Sequence, residues 1–438
     1  KNSICFKFQS TLMSIKKYYN LGKKILYPIN RSITGNGQKK TLKIIKNEFS
    51  ELKIKKIKSG KKVFDWKIPY EWNINDAYIE DKFGKKIINF KKNNLHLMGY
   101  SQPIKKTVNK KQLLKKLYSL PKQPKAIPYI TSYYKKNWMF CASHQKKKEI
   151  EKQYKNNFKF KIFINSNFDK KGFLNYGELL LKGKSDDEIL ISTNICHPSM
   201  ANNELSGPIV SMSLIDYFKK KKLAKSIRFL FLPETIGAIT YISKNLNILK
   251  KNVIAGYNLS CIGDERNHSC ILTKYKNTQA DKSLIEAYKK LRLKYKIYSF
   301  LERGSDERQF NSPGIDIPMS SIFRTKYGEY PEYHTSLDNF TIVTLEGLKG
   351  GYKVAKKTIE NFQKKIIPKN KILCEPQLSK RDLYPTLSGN KMHMPSRKYL
   401  DFLQYTDGRA SLNKISKEIK LSNKLVKNIY ITLKKKKL

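Results

Sequence analysis

The second half of the chain alternates short, continuous apolar runs with longer amphipathic stretches. Continuous apolar runs bounded by turn residues are typical of buried parallel strands, and apolar residues at every third or fourth position predict helices that pack on a sheet. The predicted strands cover residues 188–196, 226–234, 252–263 and 314–323. The predicted helices cover residues 206–218, 238–246, 281–293 and 345–365. This order predicts an α/β fold with a three-layer, mainly parallel sheet.

The first half of the chain has a different pattern. Residues 13–50 show helical spacing, interrupted by a polar link that contains the sequence RSITG at 31–35. From about residue 57 to 150, alternating and aromatic-rich runs are broken by Pro, Asn and Gly, which predicts a small β-rich domain inserted into the main one. The next two runs, 158–168 and 172–183, are predicted to pair as antiparallel strands.

After Pro368, three short helical segments at 397–404, 411–419 and 423–433 predict a winged-helix module. Such a module can contact DNA, but we expect docking or dimerisation when it is fused to an enzyme, so a homo-oligomer is an open alternative. The expected organisation has four parts, which are N-terminal helices of the main domain (13–56), the inserted β-rich domain (57–150), the α/β domain (151–368) and the winged-helix-like domain (375–438).

Composition excludes several classes of protein. The 438 residues contain 89 Lys and Arg against 35 Asp and Glu, but the lysines occur in every segment, so we do not expect nucleic acid as the partner. No run of about 18 apolar residues is present, so no membrane span is expected. The six cysteines are scattered without a CxxC pair, which favours free thiols in the cytoplasm. The start lacks the apolar core of a signal peptide, and Met13 is a natural start, so residues 1–12 are interpreted as an upstream extension.

Side chains that bind metals follow the predicted strands at four places. These are His197 in Cys-His-Pro, Glu234 in Pro-Glu-Thr, Asp306 in Gly-Ser-Asp-Glu and His334 in Glu-Tyr-His-Thr. Open α/β sheets bind ligands beyond the carboxyl ends of their strands, where these residues are expected to meet. Two histidines and two carboxylates suit zinc, which usually takes four nitrogen or oxygen ligands.

The motifs ELSG before a helix, PETIG after a strand, GSDERQF before GIDIPM, and EYHTSLDN resemble those of the zinc aminopeptidase fold. More narrowly, RSITG, the aromatic-rich insert, CHPS, PETIG, CIGDER, PEYHTSLDN and the winged-helix tail resemble a bacterial subfamily of aminopeptidase-like proteins. Genes of that subfamily often lie near genes of surface-polysaccharide biosynthesis. The resemblance covers nearly the whole chain from Met13.

The resemblance implies a set of metal ligands. His197 and Asp306 would hold one zinc ion, and Glu234 and His334 the other. The family places a bridging carboxylate at position 203, where this chain has Asn203, whose neutral amide is a poor bridge between two dications. Either the site holds one zinc ion, or the adjacent Glu204 substitutes through a small shift of the loop, or metal binding is weakened.

The resemblance also implies a general base directly before the ligand Glu, but position 233 is proline, which cannot transfer protons. If Glu234 is a ligand, the base must be another residue, for which Glu332 and Glu307 are the candidates. Alternatively, Glu234 is itself the base and the second metal site is incomplete.

The expected chemistry is metal-assisted hydrolysis of an amide in a peptide or an amino-sugar intermediate, with a small molecule or peptide as substrate. Side chains beside the motifs that are able to bind a substrate carboxylate or phosphate are Arg303, Arg308, Arg324 and Tyr333. A catalytically silent binding or scaffold protein with a degenerate metal cleft is the alternative that Asn203 and Pro233 keep open. A DNA-binding regulator is a third hypothesis, supported only by the predicted winged-helix module and the excess of Lys and Arg.

Overall fold

The computed structural model describes residues 13–364, 366–384 and 394–438. The interpretation of residues 1–12 as an upstream extension lies outside the described residues. The chain divides into two compact units, the first ending at Ile359 and the second beginning at Glu360. Among the described residues, no helix has both the length and the hydropathy needed to cross a lipid bilayer.

Sixteen strands are present in the described residues. They are β1 (Lys53–Lys58), β2 (Lys62–Val63), β3 (Trp66–Lys67), β4 (Glu71–Asp81), β5 (Lys86–Asn89), β6 (Ile104–Asn109), β7 (Leu117–Tyr118), β8 (Phe140–Cys141), β9 (Lys159–Asp169), β10 (Phe173–Leu181), β11 (Ser185–Asn194), β12 (Lys225–Leu232), β13 (Val253–Leu259), β14 (Ser269–Ile271), β15 (Lys296–Tyr298) and β16 (Met319–Phe323).

The helices of the same residues follow in chain order. They are α1 (13–21), α2 (Asn36–Glu48), α3 (Lys110–Leu114), α4 (His144–Gln153), α5 (Ser206–Phe218), α6 (Ile236–Asn252), α7 (Gln279–Lys290), α8 (Glu307–Phe310), α9 (Leu345–Lys364), α10 (Met394–Gln404), α11 (Leu412–Glu418) and α12 (Asn423–Lys435). The π-helical turn Gly22–Leu26 directly follows α1, and a second π-helical turn, Ala201–Leu205, directly precedes α5.

The main sheet has eight strands in the order β1-β10-β12-β11-β13-β16-β14-β15. Strands β12, β11, β13 and β16 run parallel, and most of their residues are buried, including the apolar runs Ile189–Ile191 of β11 and Phe229–Leu232 of β12. Antiparallel strands β1 and β10 extend one side of this core, and β14 pairs antiparallel with β16 on the other. Helices α5, α6 and α7 pack on the parallel strands, as the three-layer α/β prediction requires.

A second sheet, β5-β4-β9-β6, is entirely antiparallel and belongs to the β-rich insert. The predicted pairing of 158–168 with 172–183 is wrong, because β9 pairs with β4 and β6, whereas β10 pairs with β1 and β12. Alternation of apolar residues identifies a strand but not its partner, and β4 offers β9 a partner of equal length. The sheet of the insert therefore continues past residue 150, where we had predicted its end.

The second unit has its own apolar core. Helices α10, α11 and α12 correspond to the three predicted helices, and Ile415, Val426, Ile429 and Leu433 are buried between them. Ser411 caps the N-terminus of α11, and Ser422 caps that of α12. The side chain of each serine accepts a hydrogen bond from a backbone N–H of the first turn. This small core lets the unit fold around its own apolar residues.

Candidate metal centre

Three loops at the carboxyl edge of the parallel strands bring His197, Glu234 and His334 together. His197 follows β11 and Glu234 follows β12, whose ends lie side by side in the sheet. The imidazole Nε2 of His197 is 3.8 Å from Glu234 Oε2, and the ring centroids of His197 and His334 are 5.4 Å apart. This edge is where an open α/β sheet places its ligands.

His197 is buried, and the carboxylate of Glu204 fixes the orientation of its ring through Nδ1. Its Nδ1 donates to Glu204 Oε2 over 2.6 Å, which leaves Nε2 directed toward Glu234. Burial alone would favour the neutral ring, but the adjacent Cys196 sulfur and the Glu204 carboxylate raise the pKa of His197 well above its ordinary value. Because burial raises the pKa of the Cys196 thiol to about 12, that sulfur is neutral at pH 7 and Glu204 supplies the negative charge.

Glu234 is the carboxylate of this cluster that solvent reaches, with 23% of its side chain exposed. Its Oε1 accepts hydrogen bonds from Ser305 Oγ over 2.5 Å and from Asn194 Nδ2 over 3.0 Å. Burial raises the pKa of Glu234, and the charge of His197 opposes that rise. The second oxygen, Oε2, is the one that faces His197.

Asp306 lies beside Glu234 and is completely buried. Its Oδ1 accepts a 2.7 Å hydrogen bond from the backbone N–H of Thr235, whereas its Oδ2 is buried without a hydrogen-bond partner. Burial and then the neighbouring Glu234 raise the pKa of Asp306 well above its ordinary value. A buried carboxylate oxygen without a donor is costly unless another group, such as a cation, satisfies it.

His334 also has a buried ring atom without a partner, its Nε2. Tyr333 stacks on this ring with centroids 3.9 Å apart, and Tyr129 from the insert contacts its edge at 5.2 Å. Burial and the charge of His197 lower the pKa of His334 to about 3, so the ring is neutral at pH 7 and its lone pair is available. The backbone of His334 has φ +56°, a conformation that is uncommon for residues other than glycine and clusters at functional sites.

Asn203 occupies the π-helical turn Ala201–Leu205, which Asp338 holds in place. Asp338 accepts hydrogen bonds from the backbone N–H groups of residues 201, 202 and 203, and from the Tyr330 hydroxyl. Burial raises the pKa of Asp338 to about 6 although these donors oppose the rise. The Asn203 Oδ1 is buried and has no hydrogen-bond partner, so the turn presents a neutral acceptor.

Glu204 contacts His197 from the side opposite to Glu234, and it also faces a buried arginine. Its Oε1 is 3.9 Å from Arg31 Nε, and both side chains are 0% exposed. The Arg31 Nε also donates to the backbone carbonyl of His197 over 2.9 Å. Glu204 therefore orients His197 through its hydrogen bond with Nδ1 and faces Arg31 with its other oxygen.

The two other carboxylates considered as a base have different surroundings. Glu307 is 0% exposed and accepts hydrogen bonds from two backbone N–H groups, from Tyr327 and Ser321, and more weakly from Asn258. Both of its oxygens are thus occupied by the protein. Glu332 accepts from Arg266 over 2.7 Å through Oε1, while its Oε2 is buried without a partner.

The predicted substrate-binding residues separate into two groups. Arg308 donates to Thr235 Oγ1 over 2.6 Å and Tyr333 stacks on His334, so both lie beside the cluster. Arg303 is exposed and contacts only its own turn at Phe300. Arg324 pairs with His268, with Nη1 and Nε2 2.9 Å apart. Among the described residues, neither Arg303 nor Arg324 has a hydrogen bond or ion pair with His197 or His334.

Three residues of the site were not identified from the sequence. Asp338 lies in the TSLDN segment and Arg31 in RSITG, two motifs that were noticed without a role for either side chain. Tyr129, whose ring centroid is 5.3 Å from His197 and 5.2 Å from His334, comes from the insert. No local pattern distinguishes Tyr129 from the other tyrosines of that region.

The donor atoms present fit a zinc ion. Imidazole nitrogens and carboxylate oxygens are the ligands that zinc takes, and two of the candidate atoms, His334 Nε2 and Asp306 Oδ2, are buried without partners. Glu204 supplies the carboxylate that metal-binding histidines commonly have at their second ring nitrogen. Among the described residues, Cys196, His197 and Glu204 are the group whose ligand atoms lie within 4.8 Å of one another, so binding of one ion by His197, Glu234, Asp306 and His334 would require these side chains to move closer together. The group with Cys196 would use the Nδ1 that already donates to Glu204.

Comparisons with known proteins agree with this fold. A family described as a domain of unknown function, DUF4910, matches residues 19–365, and a winged helix-turn-helix family matches residues 366–438. A Clostridium acetobutylicum protein described as a candidate polysaccharide biosynthesis protein with an aminopeptidase-like domain is 41% identical over 399 residues, covering 90% of this chain and 89% of its own length.

Solved structures show the same similarity. A candidate peptidase from Clostridium acetobutylicum has a TM-score of 0.80 at 37% identity, over 100% of this chain and 99% of its own. A zinc aminopeptidase from Bacillus subtilis has a TM-score of 0.59 at 13% identity, over 81% of this chain and 95% of its own, which shows a common fold only.

Together, the fold and these comparisons define an aminopeptidase-like α/β protein with a C-terminal winged helix, as the sequence motifs had indicated. Within that class, the chain belongs to the DUF4910 family.

Proposed function

We propose that this protein is a zinc-dependent amide hydrolase of the aminopeptidase type. The observation that carries the proposal is the meeting of His197, Glu234 and His334 at the edge of the sheet, with His197 Nε2 3.8 Å from Glu234 Oε2. That separation suits two ligands of one ion, since zinc–ligand distances are about 2 Å. The unpartnered atoms of His334 and Asp306 support the same assignment.

In this proposal His197, Glu234, Asp306 and His334 hold one zinc ion. When bound, the ion acidifies water and polarises the substrate carbonyl. Glu204 accepts a hydrogen bond from the proton that His197 carries on Nδ1, so that zinc would have to displace only the proton on Nε2. Tyr333 and Tyr129 fix the ring of His334 on its face and its edge, respectively.

We assign the general base to Glu332. Glu234 is engaged as a ligand and Glu307 is fully hydrogen-bonded, whereas Glu332 keeps one oxygen without a partner. Arg266 holds the other oxygen of Glu332 and fixes the direction of the carboxylate. In this role Glu332 removes a proton from the attacking water and delivers it to the leaving amine.

The proposed substrate is an amide of a peptide or an amino sugar connected with surface polysaccharides. This link comes from the name of the Clostridium acetobutylicum relative. We place the reaction in the cytoplasm, because each cysteine in the described part of the chain is a free thiol.

The test is hydrolysis of a panel of aminoacyl and N-acyl amides by the protein with and without zinc. We expect activity only with zinc, and we expect Glu332→Gln to lower kcat by about 10²–10⁴-fold while zinc content is unchanged. The exposed Glu346→Gln serves as the matched control. A zinc-loaded protein that hydrolyses none of these amides would contradict the proposal.

A second candidate function is a binding protein that has lost catalysis. Two observations favour it, the neutral Asn203 at the position of the bridging carboxylate and Pro233 at the position of the base. Tight zinc binding without turnover of any amide would support this alternative.

A further inference from the structure

A cavity of about 460 Å³ lies in the β-rich insert, beside the candidate metal centre. Its floor consists of aromatic rings. Tyr100 meets Tyr133 edge-on at 5.7 Å and Phe168 edge-on at 6.0 Å. The Tyr100 hydroxyl is bound to Thr34 Oγ1 over 2.6 Å, so this ring has a fixed orientation. Because Tyr100 is itself only 1% exposed, the rings that a ligand can contact are Tyr133 and Phe168, which pack on Tyr100, and the exposed Tyr70 and Tyr134.

Two tyrosines connect this cavity to the metal centre. Tyr133 lines the cavity, and its hydroxyl is 3.3 Å from the hydroxyl of Tyr129. The ring of Tyr129 in turn contacts both His197 and His334. Tyr133 has φ +41°, a strained conformation for an aromatic residue. The cavity is thus separated from the histidines by two tyrosines, Tyr133 and Tyr129.

The rim of the cavity is cationic. Lys67, Lys135, Lys136 and Lys170 line it together with the exposed Tyr134, and the lining contains no carboxylate. Within the described part of the chain, none of these four lysines forms an ion pair with an acidic side chain, whereas many other lysines do. The rim therefore concentrates positive charge that the protein leaves uncompensated.

We propose that this cavity binds an acidic sugar ring of the substrate. Aromatic faces pack against the apolar face of a pyranose, and lysine ammonium groups pair with its carboxylate or phosphate. The volume is within the range of small-molecule sites. The inference rests on the proposed function, because it assigns the cavity to the substrate of the same hydrolase.

Binding is tested by calorimetry on the full-length, zinc-free protein, with galacturonate, galactose, glucose 1-phosphate and inorganic phosphate as probes. We expect galacturonate or glucose 1-phosphate to bind at least about tenfold more tightly than galactose, the effect of one charge-assisted contact. Whichever of the two binds more tightly identifies carboxylate or phosphate as the anion. Inorganic phosphate that binds as tightly as the acidic sugars would overturn the proposal, since the ring would then contribute nothing.

Two variants separate the charge of the rim lysines from the aromatic rings that line the cavity. Lys135→Gln/Lys136→Gln should weaken the acidic sugars by about tenfold and leave galactose unchanged. Tyr134→Ala should weaken all sugars by a common factor of about two to ten. Lys85→Ala, an exposed lysine in the turn between β4 and β5, is the matched control. Equal losses from Lys85→Ala and from the rim variant would show that general charge, not the cavity, binds the probe.

Because the probes are tested without zinc, this result does not depend on catalysis. A protein that hydrolyses amides with zinc but binds no acidic sugar would overturn the inference and leave the proposed function intact. A protein that binds galacturonate at the cavity but hydrolyses no amide would support binding of an acidic sugar and contradict the proposed function.

Discussion

Replacing Glu204 with Gln removes one buried negative charge while keeping the size of the side chain. The carboxylate has two contacts, 2.6 Å from Oε2 to His197 Nδ1 and 3.9 Å from Oε1 to Arg31 Nε. The Gln oxygen can still accept from Nδ1, so the ring of His197 keeps its orientation. The variant therefore separates the charge of Glu204 from its hydrogen bond.

The expected magnitude follows from these distances. Two unit charges 3.9 Å apart interact by about 4 kcal/mol at an effective dielectric constant of 20. Part of this lost interaction energy is offset because the desolvation of a Gln side chain costs less free energy than that of a carboxylate. We expect the free energy of unfolding of the zinc-free protein to fall by about 2–4 kcal/mol. Zinc affinity should fall by about 10–100-fold, as is usual when the partner of a metal-binding histidine is changed.

Urea unfolding measures the first effect, and zinc competition with a chelator of known affinity measures the second. The exposed Glu149→Gln on α4 is the control for loss of a glutamate charge. In the double variant Arg31→Gln/Glu204→Gln, the loss of stability should be smaller than the sum of the single losses, since the two charges are coupled. If Glu204→Gln folds but binds no zinc at all, Glu204 is a direct ligand and our assignment is wrong.

Four further predictions test other parts of the structure. Asn203→Asp should raise the zinc content toward two ions per chain by metal analysis, because it restores a charged bridge; an unchanged content would show that charge at 203 does not limit occupancy. Asp338→Asn should lower the free energy of unfolding by about 3 kcal/mol, since about two of its four contacts are lost; a urea midpoint equal to wild type would refute this. Cys196→Ser should leave zinc affinity unchanged in the chelator assay if the ion binds at Nε2 of His197, and should weaken it at least tenfold if the ion uses the sulfur. Removal of residues 366–438 should leave a protein that unfolds cooperatively and binds zinc, because each unit has its own core.

The fold was largely predictable because its strong signals are local. The parallel strands β11 and β12 contain short continuous apolar runs, and α5 follows β11 after a loop of small residues, so periodicity and turn residues predict these elements. Which strands pair with each other was not predictable in the same way. The strands β9 and β10 are adjacent in sequence but belong to different sheets, because the partner of β9 is β4, some 90 residues earlier.

The site shows the same division. The meeting of His197, Glu234 and His334 at one edge of the sheet was predictable, because His197 and Glu234 follow strands directly and all three lie in motifs with metal-binding side chains. The role of Glu204 was open, since its sequence position beside Asn203 gives no indication that it contacts His197 from behind. Tyr129 could not be found, because it reaches the histidines through a backbone hydrogen bond between its N–H and the carbonyl of His334, which only the tertiary structure shows.

The buried charges give a physical reason to expect one ion rather than two. Three carboxylates border the histidines, those of Glu204, Glu234 and Asp306, and the guanidinium of Arg31 faces Glu204. In the zinc-free protein the raised pKa values of His197, Glu234 and Asp306 favour protons on these groups, which a bound zinc ion would displace. Once those protons are released, the net charge of the four ionised groups is −2, which one zinc ion would neutralise. A second dication would leave an uncompensated charge of +2 beside a neutral Asn203, at a cost of several kcal/mol at separations of about 4 Å. The neutral Asn203 and the contacts of Glu204 with His197 and Arg31 therefore both support our expectation of one zinc ion per chain, which metal analysis of the purified protein would test.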